Sequence, residues 1–367
     1  MRIRQILEAL ARIAPPELAE PWDNVGLLLG DPDIECRRAL VSLEADLALV
    51  RRAARQGANL LITHHPPIFQ PVKRLVADDP VGRLALEAAR CGVAIAAAHT
   101  NWDLAPGGTN DVLARLFGLR GVEPLARSER SPQAKIVVFT PPSDLEPVIA
   151  ALSAAGAGII GQYRECTFRT PGTGTFRPLA GAHPTIGRVG RREEVEELRL
   201  EAIVPLALAE RAAAAVKAAH SYEEPAIDIY PLASSRIEVG IGRCGDLPEP
   251  LPAADLIEEI KAKLGVGSVR VVGSLERRVA RMALCSGSGG RYVQDAVRRR
   301  CRLYLTGDVS HHEALAALGA GLVVVDAGHA ATEAPSMAVL ARRLAEACPG
   351  VEFKVPRGAQ RGPFRNL

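Results

Sequence analysis

The feature that most constrains this chain is a rhythm of short apolar runs alternating with amphipathic helical stretches. Ala39–Leu43 reads as a strand, Asp46–Gly57 as a helix, Asn59–His64 as a strand, Val81–Cys91 as a helix and Val93–His99 as a strand. Asp111–Phe117 adds a short helix. Such alternation implies a mainly parallel sheet with helices packed on its faces. The rhythm stops at a polar stretch, Arg127–Gln133, and resumes after Gly245. It then gives a helix at Ala253–Leu264 and a strand at Val279–Cys285 that runs into Ser286-Gly-Ser-Gly-Gly290. Strands at Leu303–Leu305 and Leu322–Asp326 and a C-terminal helix follow.

The intervening text reads differently: strand 135–139, helix 143–155, strand 166–169, a Gly-rich stretch over 171–178, strand 198–204, helix 206–219 and strand 226–230. The order β-α-β-β-α-β is that of the ferredoxin-like split motif. The expected fold is therefore α/β, a discontinuous three-layer domain interrupted by a ferredoxin-like α+β insert. Its two halves are residues 1–129 and 236–367, and the insert is 130–235.

Polar residues gather where the strands end, the place where open α/β sheets put their ligands. His64 and His65 close the Asn59–His64 run, and Pro66-Pro67 turns the chain directly after them. Neighbours on a strand point to opposite faces, so the two imidazoles can serve one site only if that turn brings them together. His99 and Asp103 follow the next strand, Asp308 with His311 and His312 a later one, and His329 with Glu333 the last. Six of the eight histidines sit at such ends; His183 and His220 lie in the insert. Imidazole and carboxylate together suit Zn, Mn, Fe or Ni, and carboxylates can bridge two ions. Pro335 places the start of the last helix near Thr332, which leaves His329 in the preceding turn. Asp23 reads as a turn former. The Ser286–Gly290 loop reads as a weak phosphate cradle or a tight turn.

The seven cysteines are scattered without a C-x-x-C, which argues against a disulfide framework or a thiolate zinc site and for a reducing cytoplasm. A formal charge of +3 argues against nucleic acid or an anionic membrane as a partner.

In combination, Glu20-Pro-Trp-Asp-Asn-Val-Gly26, Ile62-Thr-His-His-Pro-Pro67, His99-Thr-Asn-Trp-Asp103, Leu305-Thr-Gly-Asp308 and Asp326-Ala-Gly-His329-x-x-x-Glu333 resemble the NIF-three-like family, the GTP cyclohydrolase I type 2 homologues. The resemblance implies a dinuclear metal centre with His64, His65, Asp103, His329 and Glu333 as ligands. It also implies a PII- or CutA-like insert, marked by Gly172-Thr-Gly-Thr-Phe-x-Pro178 and Ser221-Tyr-Glu-Glu-Pro225, and a homohexameric ring. The expected function is hydrolysis by a metal-activated water, on GTP or another small molecule. His99, His311 and His312 would move protons, and Asp308 would orient one of them. The alternative is a non-catalytic metal-binding regulator or scaffold.

Overall fold

The computed structural model describes residues 1–130, 133–233, 237–358 and 362. Ser131 and Pro132 of the polar stretch, and the expected boundary at 235–236, lie outside the described residues. The chain divides into two units, Met1–Ser128 with Val239–Leu367, and Glu129–Glu238. The protein is a mixed α/β molecule with several sheets. No described helix is long and apolar enough to cross a membrane.

The first half of the discontinuous unit runs α1 (Ile3–Ile13), β1 (Gly26–Leu29), β2 (Arg38–Ser42), α2 (Leu47–Arg55), β3 (Leu60–Thr63), α3 (Pro80–Arg90), β4 (Ala94–Ala97), α4 (Thr100–Leu104), α5 (Thr109–Leu116) and β5 (Arg120–Arg130). Glu129–Glu238 carries β6 (Gln133–Thr140), α6 (Leu145–Ala154), β7 (Thr167–Phe176), β8 (Glu193–Pro205), α7 (Ala209–Ala219) and β9 (Ile227–Pro231). The return comprises β10 (Ile237–Pro252), α8 (Ala253–Leu264), β11 (Arg270–Val272), β12 (Arg278–Ser288), α9 (Val293–Arg298), β13 (Leu303–Gly307), α10 (His311–Gly319), β14 (Val323–Asp326), α11 (His329–Ala347) and β15 (Glu352–Lys354).

In place of one sheet, the discontinuous unit has two, ordered β1-β4-β3-β2-β15 and β11-β14-β13-β12-β10-β5. Each has a parallel centre, β4-β3-β2-β15 and β14-β13-β12, with antiparallel strands beside it. Alternation along the strands explains the layering. Ala39, Val41, Leu60 and Ile62 pack toward α1 and α11, whereas Leu40, Leu61 and Ile95 pack toward α2 and α3. In the second sheet, Leu284, Leu303, Leu305 and Val325 meet α5 and α8. Ala283, Cys285, Tyr304 and Val324 meet α9 and α10. The C-terminal strand β15 returns to the first sheet beside β2, and α11 packs on strands of both.

Two local readings change. α11 begins at His329, with Pro335 inside it. Proline there removes one backbone bond, the one to the i−4 carbonyl of Ala331, and the Thr332 and Ser336 hydroxyls donate to the carbonyls of His329 and Glu333, 2.7 and 2.8 Å away. In the insert, β7 runs through the Gly-rich stretch, pairing from Thr167 with Ala202 to Phe176 with Glu193. Glycine and Pro171 are tolerated because β7 is an edge strand. The insert sheet is ordered β7-β8-β6-β9, antiparallel throughout. One face is closed by α6 and α7 around Ile136, Val138, Val148, Leu200, Val204 and Val216.

Leu340 of α11 is fully buried in the first-sheet core, whereas Leu315 of α10 is half exposed. Leu340→Ala is expected to cost about 2–5 kcal/mol and Leu315→Ala less than about 0.5 kcal/mol, measured by urea denaturation; equal costs would refute this placement of the core.

Candidate metal centre

The turn after β3 makes neighbours of two imidazoles that a strand would separate. The backbone N–H groups of His64 and His65 donate to the carbonyls of Ser42 and Leu43, both at 2.9 Å, so the register with β2 continues past the strand end. The Thr63 hydroxyl donates to the His65 carbonyl at 2.8 Å and fixes the bend. The two rings lie 4.9 Å apart, tilted by 58°. His99 caps α4 and His329 opens α11; their rings lie 5.4 and 5.1 Å from that of His65. Four histidines from three strand ends thus form one cluster.

Each ring is held by its Nδ1. In His64 it meets the Ala98 carbonyl at 2.9 Å, in His65 Glu44 at 2.7 Å, in His99 Asp23 at 2.8 Å and in His329 Asp308 at 2.6 Å. A carbonyl or carboxylate can only accept, so Nδ1 carries the proton and, in the neutral ring, Nε2 keeps a lone pair. Such outer partners set the tautomer and orientation of metal-bound histidine.

The Nε2 atoms converge on carboxylates. His329 Nε2 is 3.1 Å and His64 Nε2 3.4 Å from Glu333 Oε1, and His65 Nε2 is 3.3 Å from Glu333 Oε2. Asp103 Oδ1 is 3.6 Å from His64 Nε2. The His65 and His329 Nε2 atoms face each other at 3.2 Å, a repulsive arrangement for two lone pairs unless a proton or cation lies between them. Two triads have donor atoms within metal-binding reach, His64-His65-His99 and His65-His329-Glu333.

The buried Nε2 of His64 and Oε2 of Glu333 make no hydrogen bond. Leaving such groups unsatisfied costs about 1–3 kcal/mol each, a cost a bound cation removes. Imidazole and carboxylate donors fit a divalent transition metal. Cys285, which lines the adjoining cavity, does not compete, because burial pushes its thiol up to about 12.

Electrostatics agree with a site built around positive charge. Burial disfavours charged His65, but the Glu333 carboxylate beside it and the hydrogen-bonded Glu44 overcome it and push the ring up to about 10. Burial is likewise overcome at His329, which Glu333 and Asp308 raise to about 9. Glu333 is held well below the usual carboxylate range, its burial outweighed by the charge of His64 and by the His329 and His65 rings beside it. Asp103 is raised, chiefly by burial.

The structure thus brings together His64, His65, His99, Asp103, His329 and Glu333. Asp308 meets His329, not His99, His311 or His312. His311 and His312 open α10 exposed to solvent, their rings 5.9 Å apart, and among the described residues neither joins the cluster by a hydrogen bond or ion pair. Asp23 is no mere turn former. Its side chain is fully buried against His99 and accepts from the Thr100 N–H and hydroxyl. Hydrogen bonds from His99 and Thr100 outweigh its burial and lower it to about 2. Glu44 has no sequence signal beyond following β2. The N–H groups of Gly287 and Gly289 are taken by the Thr332 and Thr306 hydroxyls, so they are not free to cradle phosphate. Gly287 has another role: at φ +63°, a Cβ there would run into the Glu333 carboxylate.

A family model described as Duf34/NIF3 (NGG1p interacting factor 3) matches residues 1–359. A Bacillus subtilis protein named GTP cyclohydrolase 1 type 2 homolog is 38% identical over 352 residues, 96% of this chain and 94% of its own. One of the same name from Halalkalibacterium halodurans is 39% identical over 324 residues, covering 88% and 87%. The crystal structure of a Bacillus cereus protein related to NIF3 superposes with a TM-score of 0.70 at 36% identity, covering 100% of this chain and 99% of that one.

In metal-free protein, the raised His65 and His329 contribute stability that is fully present below their ordinary value of 6.5 and is lost as pH rises through about 9 to 10. With chelator present, Tm should fall more steeply between pH 7 and 10 in wild type than in His65→Gln/His329→Gln; parallel profiles would refute this.

Proposed function

The chain belongs to the Duf34/NIF3 family, and we propose that it is a hydrolase whose His/Asp/Glu cluster holds two divalent ions. The observation that carries this reading is the set of four imidazoles anchored through Nδ1, three of which, His64, His65 and His329, gather Nε2 around Glu333. His64, His65, His329 and Glu333 would hold the ions, with Asp103 and His99 completing the set. Two ions bound there would supply a water acidic enough to yield hydroxide near neutral pH and would polarise the substrate. Zinc is one candidate; manganese, iron and nickel suit the same donors.

The chain's own residues then do three things. Glu44, Asp23 and Asp308 hold the imidazoles in one tautomer, so no reorientation is needed when charge develops. A cavity of about 430 Å³ opens beside the cluster, reaching His99, Asp103, His329 and Glu333. A site that served only affinity would have no need of that space, so the cavity favours the enzyme over the regulator or scaffold. On its wall, Trp22 and Phe69 lie 5.6 Å apart and are about half exposed, a surface on which a planar ring would stack. Arg291 also lines it and supplies a cation for an anionic group. A nucleotide has both a planar ring and anionic phosphates. The relatives' name points to GTP and a cyclohydrolase-type ring opening, and phosphoesters are the comparison class.

Glu129–Glu238 is read as a ferredoxin-like domain of the PII/CutA kind, and the assembly as a cytoplasmic homohexamer. Light scattering coupled to gel filtration should give six times the 39.0 kDa chain mass; a monomer or dimer at micromolar concentration would overturn that assembly. For the activity, purified protein is assayed for bound metal and for turnover of GTP and model phosphoesters. His65→Ala and Glu333→Ala should lose metal and at least about a hundredfold in kcat/KM. Fully metal-loaded wild type without turnover on either class would sink the hydrolase and leave the regulator.

A further inference from the structure

The insert has a cavity of its own. About 330 Å³ in volume, it is lined only by residues between Phe139 and Ala226. The two segments singled out in the sequence form much of it: the Gly-rich end of β7, and the turn containing Tyr222, Glu223 and Glu224. The Thr185 hydroxyl donates to the Ser221 carbonyl at 2.5 Å and ties the 182–186 loop to that turn. The volume lies at the small end of the range for small-molecule pockets.

Its lining has two chemistries. Phe139, Phe176, Pro178, Pro184 and Ile186 offer apolar surface, and the Phe176 and Tyr222 rings stand 6.3 Å apart at 55°. The polar side is acidic, and its three carboxylates differ in their partners. Glu224 is paired with Lys217 at 2.7 Å, and Glu223 accepts from the His183 N–H at 3.0 Å. Glu197 has no ion pair among the described residues. Arg177, the one lining cation, is exposed to solvent. The Tyr222 hydroxyl is buried facing Glu197, without a hydrogen bond of good geometry. Burial, then the charge of Glu197, pushes it up to about 12, so it stays a neutral phenol. Glycine keeps the carboxylate in place: a Cβ on Gly174 would collide with Glu197.

A ligand completing this site brings N–H donors and positive charge to Glu197, a partner to the Tyr222 hydroxyl, and a flat apolar body to Phe176 and the prolines. We propose that the cavity is a ligand site of the insert and takes a small organic cation with a planar apolar body, an amidinium or aryl-ammonium. The aromatic rings add cation–π attraction to the ion pair, and a carboxylate accepting from an amidinium gives a charge-assisted hydrogen bond.

Benzamidine is the probe and the full chain the target, with binding followed by saturation-transfer NMR and calorimetry. Saturable binding to wild type is expected at or below about 10 mM, ordinary for a fragment of this size. Glu197→Gln should weaken it at least about tenfold. Tyr222→Phe should weaken it less, and neutral benzyl alcohol should show no saturable binding. Gly174→Ala, which displaces only the mobile end of Glu197, should reproduce the Glu197→Gln loss at wild-type Tm and so separates binding from folding. Benzamidine affinity unchanged in Glu197→Gln and Gly174→Ala, or no saturable binding to wild type, would overturn the site.

Discussion

The anchoring of four imidazoles through Nδ1 is the constraint on which the rest of the site depends. A histidine with a free ring has two tautomers and a rotating plane. Here each is held by an acceptor on another segment: the Ala98 carbonyl, Glu44, Asp23 and Asp308. The acceptors must be in place before the Nε2 atoms can converge, and all four lie within three residues of a strand end of the two sheets. The fold therefore serves the cluster by supplying rigid strand ends. Glu333, at most 3% exposed and within 3.4 Å of three histidines, is the one group all of them share. Its anionic form is stable there only because cationic or metal-bound partners surround it.

Much of this was legible in the sequence because strand ends can be read from apolar runs. His64, His65, Asp103, His329 and Glu333 each fall just after such a run, and chemistry at strand ends is a property of the α/β class. The outer partners were legible only in part. Asp308 reads as orienting a histidine, but the ring it meets is His329; Glu44 carries no local pattern, and Asp23 sits in a sequence any turn would use. Their function depends on pairings 21 and 76 positions away in the chain, which periodicity does not encode. His99 could be read as polar and well placed, but its Nε2 direction depends on Asp23.

The second limit concerns pairing rather than element type. Alternating strands and helices mark each βαβ step, yet do not say where one sheet stops. Residues 26–97 and 243–326 repeat the same rhythm and build separate sheets. What divides them is pairing outside the rhythm: β10 is antiparallel to β12, and β15 returns to β2. Proline and glycine misled as element boundaries. Pro335 suggested a later helix start than the structure has, where α11 begins at His329. The Gly-rich stretch over 171–178 reads as following a strand, whereas the edge strand β7 runs through it.

The route of the chain explains how an insert of this size leaves the cluster intact. The chain departs at the end of β5 and re-enters at β10, and these are neighbours in one sheet. In chain order the insert therefore stands where a hairpin loop between β5 and β10 would stand. The closure entropy of a flexible loop rises only logarithmically with length, so ~100 residues cost about 2 kcal/mol more than ~10. The cluster is different, because it needs His64 and His65 from before the insert and His329 and Glu333 from after it. No local segment can bind a cation in the way the folded unit can. A cation bound there adds its binding free energy to the folded state alone, so the two halves of the unit are stabilised together by the site they jointly make.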